Sequence, residues 1–454
     1  MSDVLFTNPA MNELFTPRAM VAAMLRVEAA LARTMARVHT FDDDVAHAIA
    51  DACRVELYDP DTIFAEAATA GTPVIPLVRV LTERVGEKAR RWVHWGATSQ
   101  DILDTAMVLQ MRAGIELLVN DLCEVAEHAA ALADKHRHTV MAGRTLGQHA
   151  APITFGLKAA RWCALTRRQI RALDALRAGA TGPELPVPAN TPAPALPLQF
   201  GGAVGTLAAF EGGGLPIAAT LSAELELPLP ELPWHAERDR IATVGATLGV
   251  TAGAMSKIAS DIALLAQTEI GEVSEGAQPG KGGSSAMPQK RNPVDAMSAL
   301  AAARLAIALV PTLMSGLEQE HERAIGAWQA EWVAIPHIFR HTAGAVAHVR
   351  QALAGLEVHE DRMRENLTLA GGTLMAESLT VAIAAKLGRH EAQRIVKAES
   401  ERALRDGITL FDAAVEDTCT AGILSREEIE QALDPARYLG STDELIDVAL
   451  TGWK

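Results

Sequence analysis

The run Pro279-Gly280-Lys281-Gly282-Gly283-Ser284-Ser285-Ala286-Met287-Pro288-Gln289-Lys290-Arg291-Asn292-Pro293 decides how the rest of the chain is read. Its glycines let the backbone move and approach a ligand closely. Pro293 suits the first turn of a helix. A plain surface loop would account for the glycines. It accounts less well for two serines, a lysine and an asparagine within nine residues. That inventory suits an anion-binding, proton-moving loop. Backbone N–H groups and Lys290 would hold negative charge while a serine handles a proton.

The composition sets limits on the rest. The 454 residues suffice for two or three domains and a sizeable core. Nearly half are hydrophobic but only 4% aromatic, and the abundance of Ala and Leu favours long helices. A net charge of −15 argues against a nucleic-acid partner, and an anionic ligand would need a local positive site. Cys53, Cys123, Cys163 and Cys419 are scattered, and the histidines show no paired ligand spacing, so no metal is expected. No dinucleotide or phosphate-loop motif occurs, so no cofactor is expected either. Met1-Ser2-Asp3-Val4 carries no basic-then-apolar signal, which suggests a cytoplasmic protein. The most apolar run, 297–314, contains Arg304 and Pro311 and reads as a core helix rather than a membrane span.

Helical spacing dominates the chain. Met20, Met24, Val27 and Leu31 mark one early helix. Gly71-Thr72-Pro73-Val74-Ile75-Pro76 reads as a bend before a short helix over 77–85. Leu103, Met107, Met111, Ile115, Leu118, Leu122, Val125, Ala129 and Leu132 form one stripe on a very long helix. Ile241, Val244, Leu248, Met255, Ile258, Ile262 and Leu265 form a second. Leu300, Ile307, Val310, Met314 and Leu317 form a third, with a kink expected at Pro311. No stretch alternates long enough for a sheet core, and the six prolines of 183–198 read as an exposed excursion. The expected fold is all-α: an N-terminal helical domain (1–101), a central bundle of long helices (102–350) and a C-terminal helical domain (351–454). Wide apolar stripes on such a bundle predict oligomerisation.

Polar breaks interrupt the long helices at three places. The first offers His94, Thr98, Ser99 and Gln100, the second Arg144, Thr145, Gln148 and His149, and the third Ser284, Ser285, Lys290 and Asn292. Taken singly, Thr98 and Ser99 read as helix caps, the histidines as structural and Arg144 as a surface ion-pair residue. Together the breaks supply the hydroxyls, amides and cations needed to hold several carboxylates.

The combination resembles the fumarase/aspartase superfamily. The loop matches its signature Gly-Ser-Ser-x-x-Pro-x-Lys-x-Asn-Pro. His94-Trp95-Gly96-Ala97-Thr98-Ser99-Gln100-Asp101 and Gly143-Arg144-Thr145 through His149-Ala150 match its other two regions, in its order. The resemblance implies homotetramers on a shared helical bundle, with each active site assembled from three subunits. It also implies that a base takes the proton next to a carboxylate, giving an enediolate, and that a group on the β-carbon leaves. Ser284 would be that base, with Ser285 left open as the alternative, and Lys290 and Asn292 would hold the enediolate. Substrate binding would fall to His94, Thr98, Ser99, Arg144, Thr145, Gln148, His149, Ser285, Met287 and Arg18, which follows Thr16-Pro17.

Two departures narrow the choice. Many members have His where this chain has Leu146, and a Glu that orients it where this chain has Met297. That pair protonates a poor leaving group. Its loss points to a carboxylate leaving group, which departs as a stable anion. A carboxylate leaving a carbon of its own molecule is a lactone opening, and its addition is a lactone closing. This resembles the superfamily's cycloisomerase branch, in which a tricarboxylate, 3-carboxy-cis,cis-muconate, closes to 4-carboxymuconolactone in the protocatechuate route of aromatic degradation. Gly71-Thr72-Pro73-Val74-Ile75-Pro76, Leu198-Gln199-Phe200-Gly201-Gly202, Leu232-Pro233-Trp234-His235 and Glu320-His321-Glu322-Arg323 also look like that branch. The alternatives are a fumarate-eliminating enzyme similar to adenylosuccinate lyase and a non-catalytic scaffold on the same fold.

Overall fold

A computed structural model describes residues 3–178, 195–276 and 280–452. The proline-rich excursion read at 183–198 lies outside these up to residue 194. The chain divides into two compact units. One comprises Met1–Leu122, Arg168–Ser256 and Ser298–His348, and the other Cys123–Arg167, Lys257–Met297 and Val349–Lys454.

The fold is all-α, as expected. The helix Ser99–Lys135 runs for 37 residues. Every member of its predicted stripe is buried except Leu132, which is half-buried. All seven predicted stripe residues of the helix Asp239–Leu265 are buried. Burying such a stripe is what makes a helix of this length stable.

The third stripe was misread. On the helix Val294–Ser315, the buried face is Ala296, Ala299, Ala302, Ala303 and Ala306. Ile307 and Met314 are exposed, Leu317 lies beyond the helix end and is exposed, and Leu300 and Val310 are half-buried. The physical reason is close approach: small residues let helix backbones come together. Across this helix, Gly245, Gly249 and Gly253 of Asp239–Leu265 face Leu313, Val310 and Ile307 in turn. A Cβ on Gly249 would stand 2.7 Å from Val310 Cγ2, whereas one on Gly253 would meet Ile307 Cδ1 at 3.9 Å. Leu313 is buried against Gly245, but the other large apolar residues of the helix are left outward or half-buried. Met297, Leu305, Ile307 and Met314, with Val250 and Leu264 on the neighbouring helix, are each at least 40% exposed. Both helices are long and apolar enough to cross a membrane by length and composition.

Two further expectations change. The bend before the short helix is confined to 71–73. Gly71 closes the helix Pro60–Ala70 in the left-handed conformation, and the next helix spans Val74–Arg84. Pro76 sits in its first turn, where a missing N–H leaves no hydrogen bond unmade. The second polar break is an antiparallel hairpin, Val140–Thr145 with Gln148–Thr154, irregular at Ala142/Gly143. Leu146 (φ 52°) and Gly147 (φ 77°) form its two-residue turn. Among the described residues, the other strand pair is Val273–Ser274 with Glu357–Val358.

In the second unit, helices from Ala376 onward enclose Leu379, Ile383, Ile395, Leu410 and Ile429. Capping boxes at Thr409/Asp412 and Ser425/Glu428 start two of them.

The glycine row gives a paired test. Gly249→Ala forces Val310 to shift and should cost about 1–3 kcal/mol, seen as a lower midpoint of thermal unfolding. Gly253→Ala meets only ordinary contact and should be neutral or stabilise by up to about 1 kcal/mol. Equal effects of the two substitutions would refute this packing.

Candidate active site

In the first unit, the opening polar break is set by a buried carboxylate. Asp101 Oδ2 accepts the Thr98 N–H at 3.0 Å and the Gly202 N–H at 2.9 Å, while Oδ1 accepts the Gly201 N–H at 2.9 Å. His235 Nε2 completes the set, 2.7 Å from Oδ1. Thr98 stands just before the helix Ser99–Lys135, so Asp101 is the acidic half of a capping box. Arg323 reaches in from the segment after the third long helix. It donates to Thr98 Oγ1 at 2.9 Å, Gln100 Oε1 at 3.1 Å and Ala203 O at 3.1 Å. All three acceptors are neutral. Gln100 also donates to Asp104, which binds Arg238 and Trp328. Ser99 is half-buried.

His94 lies 2.6 Å through Nδ1 from the buried Glu28 carboxylate, on a left-handed backbone (φ 59°). Burial lowers its pKa, but the charges of Glu28 and Asp101 outweigh that and raise it. Arg18 stands in the open, paired with Glu56 at 3.1 Å.

In the second unit, Arg144 and His149 face each other across the hairpin, and Thr145 and Gln148 flank its tip. Arg144 grips Glu272 with both terminal nitrogens, at 2.8 and 2.6 Å, and Asn366 donates to the same carboxylate at 2.8 Å. The guanidinium fork expected to meet a substrate is thus filled by Glu272. Burial and the nearby Arg144 push His149 below the ordinary histidine range, so it is neutral at pH 7. Thr145 and Gln148 are exposed, and Leu146 is wholly so. Lys158 sits in the first turn of the helix Phe155–Arg177. It is half-buried with no hydrogen bond or ion pair among the described residues, and burial lowers its pKa despite Asp261.

The signature loop belongs to the same unit. Ser284 Oγ accepts the N–H groups of Met287 at 3.1 Å and Ala286 at 3.4 Å. Ser285, Met287 and Lys290 are exposed, and Lys290 makes no ion pair among the described residues. Asn292 donates its backbone and side-chain N–H to Gly282 O, at 2.8 and 3.2 Å. Arg144 and Glu272 tie the hairpin to the segment that leads into this loop. No hydrogen bond among the described residues joins the hairpin's polar side chains to Ser284, Lys290 or Asn292.

Sequence reasoning missed the carboxylates Asp101, Glu28 and Glu272. Only Asp101 left a signal, as the last residue of Thr98-Ser99-Gln100-Asp101. Among the described residues, no group of three or more His, Cys, Asp or Glu side chains could hold a metal ion.

Comparison with known proteins places this geometry. Residues 4–305 match the lyase family model, and residues 372–449 match an adenylosuccinate lyase C-terminal model. The chain is 43% identical to a 3-carboxy-cis,cis-muconate cycloisomerase of Pseudomonas aeruginosa, over 99% of this chain and 95% of that protein. It is 38% identical to a nitrosuccinate lyase of Streptomyces davaonensis, over 96% and 90%. The crystal structure of a 3-carboxy-cis,cis-muconate lactonizing enzyme from Pseudomonas putida superposes with a TM-score of 0.90 at 39% identity, covering 99% of this chain and 98% of that one.

The His94–Glu28 pair predicts a pH effect. Because folding raises the His94 pKa, the pair's stabilisation is complete below 6.5 and fades as pH rises through the raised value. Thermal unfolding of the native chain against His94→Gln should therefore show a gap that narrows as pH climbs above 6.5. A gap independent of pH would show that the pair is not charged.

Proposed function

The chain belongs to the fumarase/aspartase-type lyase family, and from that premise we propose that it closes 3-carboxy-cis,cis-muconate to 4-carboxymuconolactone, reversibly and without a cofactor. The observation that carries this reading is the hairpin tip. Thr145-Leu146-Gly147-Gln148 holds no titratable side chain, and Leu146 is fully exposed there. An elimination that expels an amine or alkoxide needs a proton donor at the leaving atom. One that expels a carboxylate does not.

In the closing direction, one substrate carboxylate oxygen bonds to the far carbon of an alkene conjugated with a second carboxylate. The alkene's electrons pass into that second carboxylate as an enediolate, and the α-carbon then takes a proton from Ser284. In the opening direction, Ser284 removes that proton and the lactone C–O bond breaks. Backbone donors at Ser284 Oγ favour its alkoxide, and Ser285 has no such bonds among the described residues, so Ser284 is assigned the proton. Lys290 neutralises the enediolate, and Asn292 holds the loop at Gly282 while lending its remaining amide hydrogen.

The substrate's three carboxylates meet a chain of charge −15, so local cations decide binding. His94 and Lys290 supply charge, Thr98 and Ser99 donate hydroxyl hydrogens, and Arg323 adds a cation beside Thr98. Thr145, Gln148, His149, Ser285 and Met287 line the remainder. Arg144 acts through Glu272, and Arg18 reaches the site only by leaving Glu56. The proposal includes a cytoplasmic homotetramer whose sites draw on three subunits, acting in protocatechuate breakdown, with no nucleic-acid or membrane partner. The three-part division at 101 and 350 goes with it. The outward apolar residues of the helices Asp239–Leu265 and Val294–Ser315 favour such an assembly, because each would otherwise meet water.

The match of residues 372–449 to an adenylosuccinate lyase model favours a second reading, fumarate release from adenylosuccinate. A paired ultraviolet assay separates the two. Loss of diene absorbance with carboxymuconate alone supports the cycloisomerase, and turnover with adenylosuccinate alone refutes it.

Ser284→Ala should lower kcat by roughly 10²–10⁴-fold with the oligomer intact by light scattering. Full activity would transfer the proton to another group. Leu146→His should bring no large gain in lactonisation, and a large gain would sink the leaving-group argument.

A further inference from the structure

The signature loop is closed at its root by two crossings. The inner one is the Asn292–Gly282 pair of hydrogen bonds. Gly282 is in the left-handed conformation (φ 71°), and a Cβ there would lie 2.7 Å from Asn292 O. The outer crossing is ionic. Lys281 Nζ lies 2.5 Å from Asp295 Oδ2 and 3.4 Å from Glu275 Oε2. Both carboxylates are almost wholly buried, with side-chain exposures of 5% and 4%. Glu275 also accepts the N–H groups of Asp295 at 3.1 Å and Ala296 at 2.8 Å, at the start of the helix Val294–Ser315.

Among the described residues, no hydrogen bond or ion pair holds the loop beyond these crossings. Residues 285–291 are exposed, and the hydrogen bonds of 283–291 among the described residues stay within the loop. A Cβ on Gly283 would meet no atom within 4 Å. The positions of Ser284 and Lys290 therefore depend on the root.

We propose that Lys281 is a positioning residue: with Glu275 and Asp295 it forms an ion-pair clasp that fixes the root of the loop and thereby the stance of Ser284 and Lys290 during turnover. Its function is electrostatic. Two buried carboxylates flank one ammonium, and without it they repel across the root. Burial lowers the Lys281 pKa, but its bonds to Asp295 and Glu275 outweigh that and raise it, so the clasp stays charged at neutral pH. The hydrophobic isostere should open the root, and arginine should keep it shut.

The turnover arm of the test rests on the proposed lactonisation. The other arm is proteolysis and needs no substrate, so the two ideas can fail separately. Lys281→Met should lower kcat by about 10–100-fold with KM and oligomeric state little changed. It should also speed tryptic cleavage after Lys290 and Arg291 several-fold, read by fragment mass. Lys281→Arg should restore both, and Asp295→Asn should reproduce the methionine phenotype more weakly. Unchanged cleavage in a folded Lys281→Met protein would overturn the clasp, whatever its turnover. Faster cleavage with native kcat would overturn its link to the reaction. Unfolding of both Lys281→Met and Asp295→Asn would make the cluster a folding element and overturn the positioning role.

Discussion

A buried carboxylate must be satisfied, and each polar break in this fold is rooted in one. Asp101 takes four donors behind Thr98, Glu272 takes Arg144 and Asn366 behind the hairpin, and Glu275 takes two backbone N–H groups and Lys281 behind the signature loop. An unpaired charge in such a place costs several kcal/mol. A break therefore cannot drift from its root without stranding an anion. In an acidic chain, carboxylates are the abundant material from which to build fixed points, and the scarce cations are drawn toward them.

That traffic explains why the positive residues were the hardest to read. Sequence shows that Arg144 and Arg18 exist but not that Glu272 and Glu56 hold them. Pairing across 128 residues leaves no local pattern. The reverse holds for Arg323, whose three hydrogen-bond partners are neutral and which makes no ion pair among the described residues. A guanidinium held this way orients Thr98: the hydroxyl oxygen accepts from Arg323, which leaves its hydrogen to point at a ligand.

The helices were legible because burial imposes their period. The stripes through Met111 and Met255 are buried as spaced. The stripe through Ile307 failed for an instructive reason. Hydrophobicity ranks Ile and Leu above Ala, but a tight helix contact selects size, so the alanine face turned inward. The hairpin at 140–154 failed because its strands are short and its polar residues look like any loop. The loop motif, by contrast, is visible in the sequence because its residues are consecutive, whereas the pairing of Lys281 with Glu275 and Asp295 at its root leaves no such pattern.

Of the seven described residues other than glycine with left-handed backbone, His94 lies in the first break, Leu146 in the second and His321 beside Arg323. Each costs on the order of 1–2 kcal/mol, and strain of this kind persists where the surroundings or the function demand it. At His94, Glu28 supplies the demand. Leu146 has nothing comparable among the described residues, being both in the left-handed region and fully exposed. A leucine that bears both penalties would gain from a cover that comes from outside the chain. A shared site, in which another subunit covers the tip, would remove the solvent penalty and turn the residue into a dry wall. A dry wall suits a reaction whose leaving group needs no proton, because excluding water protects the enediolate without supplying an acid.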